Sequence, residues 1–89
     1  MPFLYGSHKV RDFAAWKPFF DADAPRRAEA GMRLKHLFRN AADPNDVHLL
    51  FEVDDPARAA AMLQSPQTQR IMQEAGVLSP PQGLVLVEA

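Results

Sequence analysis

Three histidines, His8, His36 and His48, are the side chains of this sequence whose ordinary titration lies nearest neutral pH, and His36 and His48 sit among apolar or aromatic neighbours. An imidazole held in such surroundings is a candidate general acid or base, because burial moves its pKa and a neutral ring nitrogen can take a proton from a substrate. The stretch HKVRDFAAWKPFFD, His8 to Asp21, joins the first of them to four of the chain's eight aromatic residues: Phe13, Trp16, Phe19 and Phe20. Trp16 and Phe20 are candidate walls for a small aromatic ligand. Phe13, Trp16 and Phe20 also recur at i, i+3 and i+7, the spacing by which a helix fills a core, so the same residues have a packing reading.

Other chemistries find less support. No pair of histidines has the i, i+4 spacing of a helical metal site and no carboxylate is fixed beside them, so no metal is expected. The chain has no cysteine, which removes thiol catalysis, disulfides and thiolate metal sites. Asp54 and Asp55 precede Pro56 and read as a helix cap, not as an acid–base pair. Arg26 and Arg27 fall in the last turns before Gly31, where positive charge complements the helix dipole. Ser7, Ser65 and Ser79 lack a nucleophile elbow, and no glycine-rich phosphate loop or dinucleotide fingerprint occurs. No bound cofactor is expected.

A chain of 89 residues is expected to form one domain, 1–89. At this size it buries only about 60 to 65% of its unfolded surface, so its stability margin is thin. With 47% hydrophobic and 24% charged residues the composition is globular. Ten basic against eleven acidic residues give a formal charge of −1, with Lys and Arg scattered, so nucleic acid is not an expected partner. No apolar run reaches the ~18 to 20 residues that span a bilayer. MPFLYGSHK has no basic segment followed by an apolar one, and the expected location is cytoplasmic.

The elements that must position these residues follow the order strand, helix, strand, strand, helix, strand. Phe3 to Val10 reads as a strand, and Asp12 as the N-cap of a helical region closed by Gly31. Pro18 predicts a kink there or a later start near Lys17. MRLKHLFRN, Met32 to Asn40, alternates as a strand with Met32, Leu34, His36 and Phe38 on one face. AADPND is a turn, and VHLLFEV, Val47 to Val53, is the returning arm. If Arg39 pairs with Val47, Phe38 faces His48 and His36 faces Leu50, which adds Phe38 and His48 to the candidate pocket residues. Asp55 with Pro56, and Ser65 with Pro66, start two short helices that end at Gly76, and GLVLVEA forms the last strand.

A βαββαβ order in one short chain is the ferredoxin-like α+β arrangement, a four-stranded antiparallel sheet with its helices on one face. VHLLFEV and GLVLV are nearly continuous apolar runs, the pattern of strands covered on both sides. The free sheet face therefore predicts a homodimer, the commonest closed soluble assembly.

HKVRDFAAWKPFF, RRAEAG, HLFRNAADPNDVHLLFEVDD, LQSP, MQEAGV and the paired prolines before the last strand together resemble the dimeric α/β-barrel superfamily. Within it the chain is similar to the small proteins grouped with antibiotic biosynthesis monooxygenases and cyclase-like proteins, over nearly its whole length. The resemblance implies two four-stranded sheets forming a barrel at a dimer interface, with a pocket in each subunit between sheet and helices. It also implies a cofactor-independent oxygenase or cyclase-like activity on a small aromatic or polyketide-like substrate. His8 or His36 would then be the base. The other reading is a non-catalytic homodimer that binds a small apolar ligand or serves in stress, with the aromatic residues as core.

Overall fold

The strand expected at Phe3 to Val10 forms as β1, Phe3–Lys9, and Val10 is left as a single bridge to Val77. The structure is a computed structural model describing residues 1–89. Asp12 caps α1, Phe13–Ala22, accepting from the Ala14 N–H at 3.3 Å. This helix starts at Phe13 and runs through Pro18 without ending there. A second short helix, α2, Ala24–Glu29, carries the chain to Gly31, whose φ of +74° makes the turn into the next strand.

The hairpin is β2, Met32–Asn40, and β3, Asp43–Val53. The turn is tighter than the AADPND composition implies, because β3 resumes at Asp43 and the ladder absorbs the extra residues in a register shift between Arg39 and Asn40. Pro44 falls in that irregular stretch, where its missing N–H breaks no regular rung. Asp55 caps α3, Pro56–Leu63, and Ser65 caps α4, Pro66–Ala75, each with proline following the cap. Gly76, at φ +85°, closes α4: its own N–H donates to the Gln73 carbonyl, and the Val77 N–H donates to the Met72 carbonyl. The last strand is β4, Gln82–Leu86, shorter than GLVLVEA.

The four strands form one antiparallel sheet in the order β2-β3-β1-β4. This is the ferredoxin-like α+β fold. Central strand β3 sends Val47, Leu49, Phe51 and Val53 into the core beneath the helices, where Leu4 and Trp16 join them.

One expectation about the sheet is corrected. Arg39 pairs with Val47, Phe38 with His48 and His36 with Leu50, as the hairpin register predicts. A bulge at Lys35, between Leu34 and His36, then reverses the side-chain alternation. Met32 and Leu34 pair with Val53 and Phe51 on the helix side, whereas His36 and Phe38 point to the opposite face. The four residues do not share one face, because a bulge adds a residue to β2 that a strict period of two cannot contain.

Candidate functional site

Between β1, α1, α2 and the α3–α4 pair lies a cavity of about 480 Å³. The β1 pleat sends Leu4, Gly6 and His8 to its side of the sheet, since they pair with Phe51, Leu49 and Val47 of the buried face. Helix α1 lays Trp16 and Phe20 over the same space. Most of the lining is apolar, and His8, Arg27, Asp23 and Thr68 are among its polar residues.

His8 Nε2 is buried and has no hydrogen-bond partner. Burial holds the imidazole below its ordinary pKa of 6.5, so the ring is neutral at neutral pH. The ring meets Trp16 edge-on, centroids 5.6 Å apart. Trp16 stacks on Phe20 at 4.8 Å and tilts against Phe13 at 5.6 Å. Trp16 is both core and wall: it is 3% exposed and borders the cavity. A neutral imidazole with a free nitrogen in an apolar cavity can accept a proton from a bound acid, and the apolar wall strengthens that electrostatic interaction.

The structure places His8, Trp16 and Phe20 together and the other three candidates elsewhere. His36 is exposed on the far face of the sheet, stacked on Phe38 at 5.4 Å, and Phe38 is 55% exposed. His48 lies on that far face too. The reason is register: Phe38 pairs with His48 and His36 with Leu50, whose positions alternate with the buried Val47, Leu49 and Phe51.

His48 belongs to a separate chain of polar groups. The Tyr5 hydroxyl is hydrogen-bonded to His48 Nδ1, and His48 Nε2 lies 3.2 Å from Asp46 Oδ1. The Asn40 amide donates to the other Asp46 oxygen at 3.1 Å and, with His48, holds the Asp46 carboxyl below the usual carboxylate range. In sequence the only signal for this chain is the Asp-x-His spacing, which puts Asp46 and His48 on one strand face; Tyr5 joins them only through the β1–β3 register.

Arg27 is a cavity-lining residue that spacing misses, since its place before Gly31 reads as helix-dipole complement. Its side chain turns inward and the residue is 8% exposed. Nη1 donates to the Phe20 carbonyl at 2.7 Å, and the guanidinium lies 3.8 Å from the Phe20 ring centroid. No group of three or more His, Cys, Asp or Glu side chains is arranged to hold a metal. No helix is long and apolar enough to cross a membrane.

No protein-family model matches this chain, and no curated protein matches it. Solved structures do. A Bordetella bronchiseptica protein named after the antibiotic biosynthesis monooxygenases superposes with a TM-score of 0.79 at 17% identity, covering 99% of this chain and 96% of its own. The crystal structure of an antibiotic biosynthesis monooxygenase gives 0.71 at 13% identity over 100% of this chain and 99% of its own. Rv0793 from Mycobacterium tuberculosis gives 0.66 at 19% identity over 100% and 96%. Across its full length, the chain has the ferredoxin-like α+β fold of these solved structures, two of which are named as antibiotic biosynthesis monooxygenases.

Proposed function

We propose that the protein is a cofactor-independent oxygenase, or a closely related cyclase, acting on a small aromatic or polyketide-like substrate in the cavity between sheet and helices. The observation that carries this reading is the unpartnered, buried Nε2 of His8 beside Trp16 in an apolar cavity of about 480 Å³. His8 removes a proton from an acidic C–H or O–H of the substrate, and the carbanion or phenolate reduces dioxygen. For an activated methylene, a carbon hydroperoxide forms after proton return from the imidazolium, and it then loses water. The methylene becomes a carbonyl carbon, both of its hydrogens leave with one oxygen atom as a single water molecule, and the other oxygen atom of the same dioxygen stays on carbon. The monooxygenase names of two structurally similar proteins support oxygenation over ring closure.

The protein acts as a homodimer in this proposal, with the sheet face away from the helices set against a second copy. That face carries Phe38 at 55%, Leu84 at 57% and Leu86 at 39% exposure, which is costly to leave in water.

The test is oxygen uptake with small hydroquinones and anthrone-like phenols, paired with Trp16 emission during titration. Turnover that disappears in His8→Ala while ligand still perturbs Trp16 supports the enzyme. Ligand binding without oxygen uptake in the wild type points to the non-catalytic binder. Absence of both signals removes the cavity from function.

A further inference from the structure

Arg27 is a cation without an acidic partner. The two carboxylates whose charge reaches it, Asp23 and Asp21, are engaged by other cations: Arg26 lies 3.1 Å from Asp23, and Lys17 lies 2.8 Å from Asp21. Arg27 is more buried than Arg26 or Lys17, at 8% exposure, and burial pulls its guanidinium below the usual arginine value. It remains charged, because no environment of this kind deprotonates arginine. Placing an unpaired guanidinium in an apolar cavity costs stability and makes a structural role a poor explanation by itself.

Its orientation adds a second fact. One face of the guanidinium covers the Phe20 ring at 3.8 Å, and one N–H is taken by the Phe20 carbonyl. Guanidinium donors lie in the plane of the group, so stacking leaves the other edge N–H groups free for a planar acceptor. From Arg27 the wall continues through Phe20 to Trp16 at 4.8 Å and on to His8 at 5.6 Å. Cation, two aromatic rings and a neutral imidazole thus form one series along the cavity.

We propose that this series is a site for an aromatic anion. The flat ring lies against the edges of Phe20 and Trp16, since Arg27 and Trp16 already cover the faces of Phe20, its carboxylate or phenolate oxygen meets the Arg27 guanidinium, and His8 stands at the other end of the series. Asp23 also borders the cavity, and its pairing with Arg26 offsets its repulsion of such a ligand. The inference rests on the functional reading above and narrows its substrate class to aromatic acids and acidic phenols. It also gives Arg27 a part in that reaction, as the group that holds negative charge delocalised over the ring after His8 takes the proton.

Calorimetric titration at pH 7.5 with 2-naphthoate and with 2-naphthamide tests this, since the two probes share shape and differ in charge. The wild type should bind naphthoate at least about tenfold more tightly, the usual effect of a charge-assisted hydrogen bond. Arg27→Met should erase the preference and Arg27→Lys should keep part of it. Equal affinity of the two probes in the wild type, or a preference surviving in Arg27→Met, overturns the assignment and leaves the oxygenase reading standing. Absence of binding by either probe overturns both. Should Arg27→Met fail to fold, the wild-type comparison still decides.

Discussion

The His8 imidazole meets the Trp16 indole edge to face, centroids 5.6 Å apart, and its buried Nε2 has no hydrogen-bond partner. Burial, not a neighbouring charge, lowers its pKa from 6.5, and this fixes how stability must respond to pH. Above 6.5 both folded and unfolded chains carry a neutral His8. Below it the unfolded chain binds a proton that the native chain does not, until the pH reaches the lowered native value, so stability falls as pH falls through that window. Urea unfolding of the wild type and His8→Gln between pH 7.5 and 5 should show a steeper loss in the wild type. Parallel curves would mean that His8 is as well hydrated in the native state as in the unfolded one.

Trp16 gives a different response. At 3% exposure, with Phe20 stacked on it at 4.8 Å, its truncation to alanine should cost about 3 to 5 kcal/mol. Trp16→Phe keeps an aromatic plane against Phe20 and Phe13, and should cost about 1 kcal/mol in denaturant midpoint analysis. A Trp16→Ala cost as small as that of Trp16→Phe would make the indole a cavity lining that contributes little packing.

The helix starts were readable because Asp12, Asp55 and Ser65 act locally: each side chain accepts from an N–H two or three residues ahead. The hairpin register was readable once Arg39 was paired with Val47 across the AADPND turn. The Lys35 bulge was not, since an added residue in β2 is set by where both ends of the strand must meet β3. The face that holds His36 and Phe38 therefore could not be read correctly relative to Met32 and Leu34. Arg27 was hidden for a related reason. Whether a cation near a helix end points to water or into the core depends on what packs beside it, here the ring and carbonyl of Phe20.

Gly31 offers a test of the joint between α2 and β2. It combines φ +74° with close approach to Asp54: a Cβ there would lie 2.9 Å from Asp54 Oδ2 and 3.1 Å from its Cβ. The Asp54 N–H donates to the Gly31 carbonyl at 2.9 Å, and Arg33 holds the Asp54 carboxylate at 2.9 Å, so the neighbour has little freedom to retreat. Gly31→Ala should therefore lose about 1 to 3 kcal/mol, from the left-handed backbone and the contact together. In a double-mutant cycle with Asp54→Ala the loss should shrink, because the carboxylate part of the contact is removed while the contact with the Cβ of residue 54 and the backbone part stay. An unchanged loss would assign the effect to backbone conformation and that Cβ contact.

The proposed dimer separates two neighbouring residues of β4. Leu84 and Leu86 pair with Tyr5 and Phe3, which places them on the sheet face away from the helices, whereas Val85 pairs with Leu4 on the cavity side. Light scattering at micromolar concentration should report about twice the 9.9 kDa chain mass for the wild type. A carboxylate introduced by Leu84→Asp would be buried and unpaired in the dimer, yet exposed in a separated chain, where Leu84 is 57% accessible. That variant should scatter as a folded monomer. Val85→Asp points its charge at the cavity instead, so it should leave the assembly intact and weaken binding of aromatic anions by repulsion. A wild type that is monomeric and stable, with Leu84→Asp indistinguishable from it, would show that the apolar sheet face is tolerated in water and that the second copy is not its occupant.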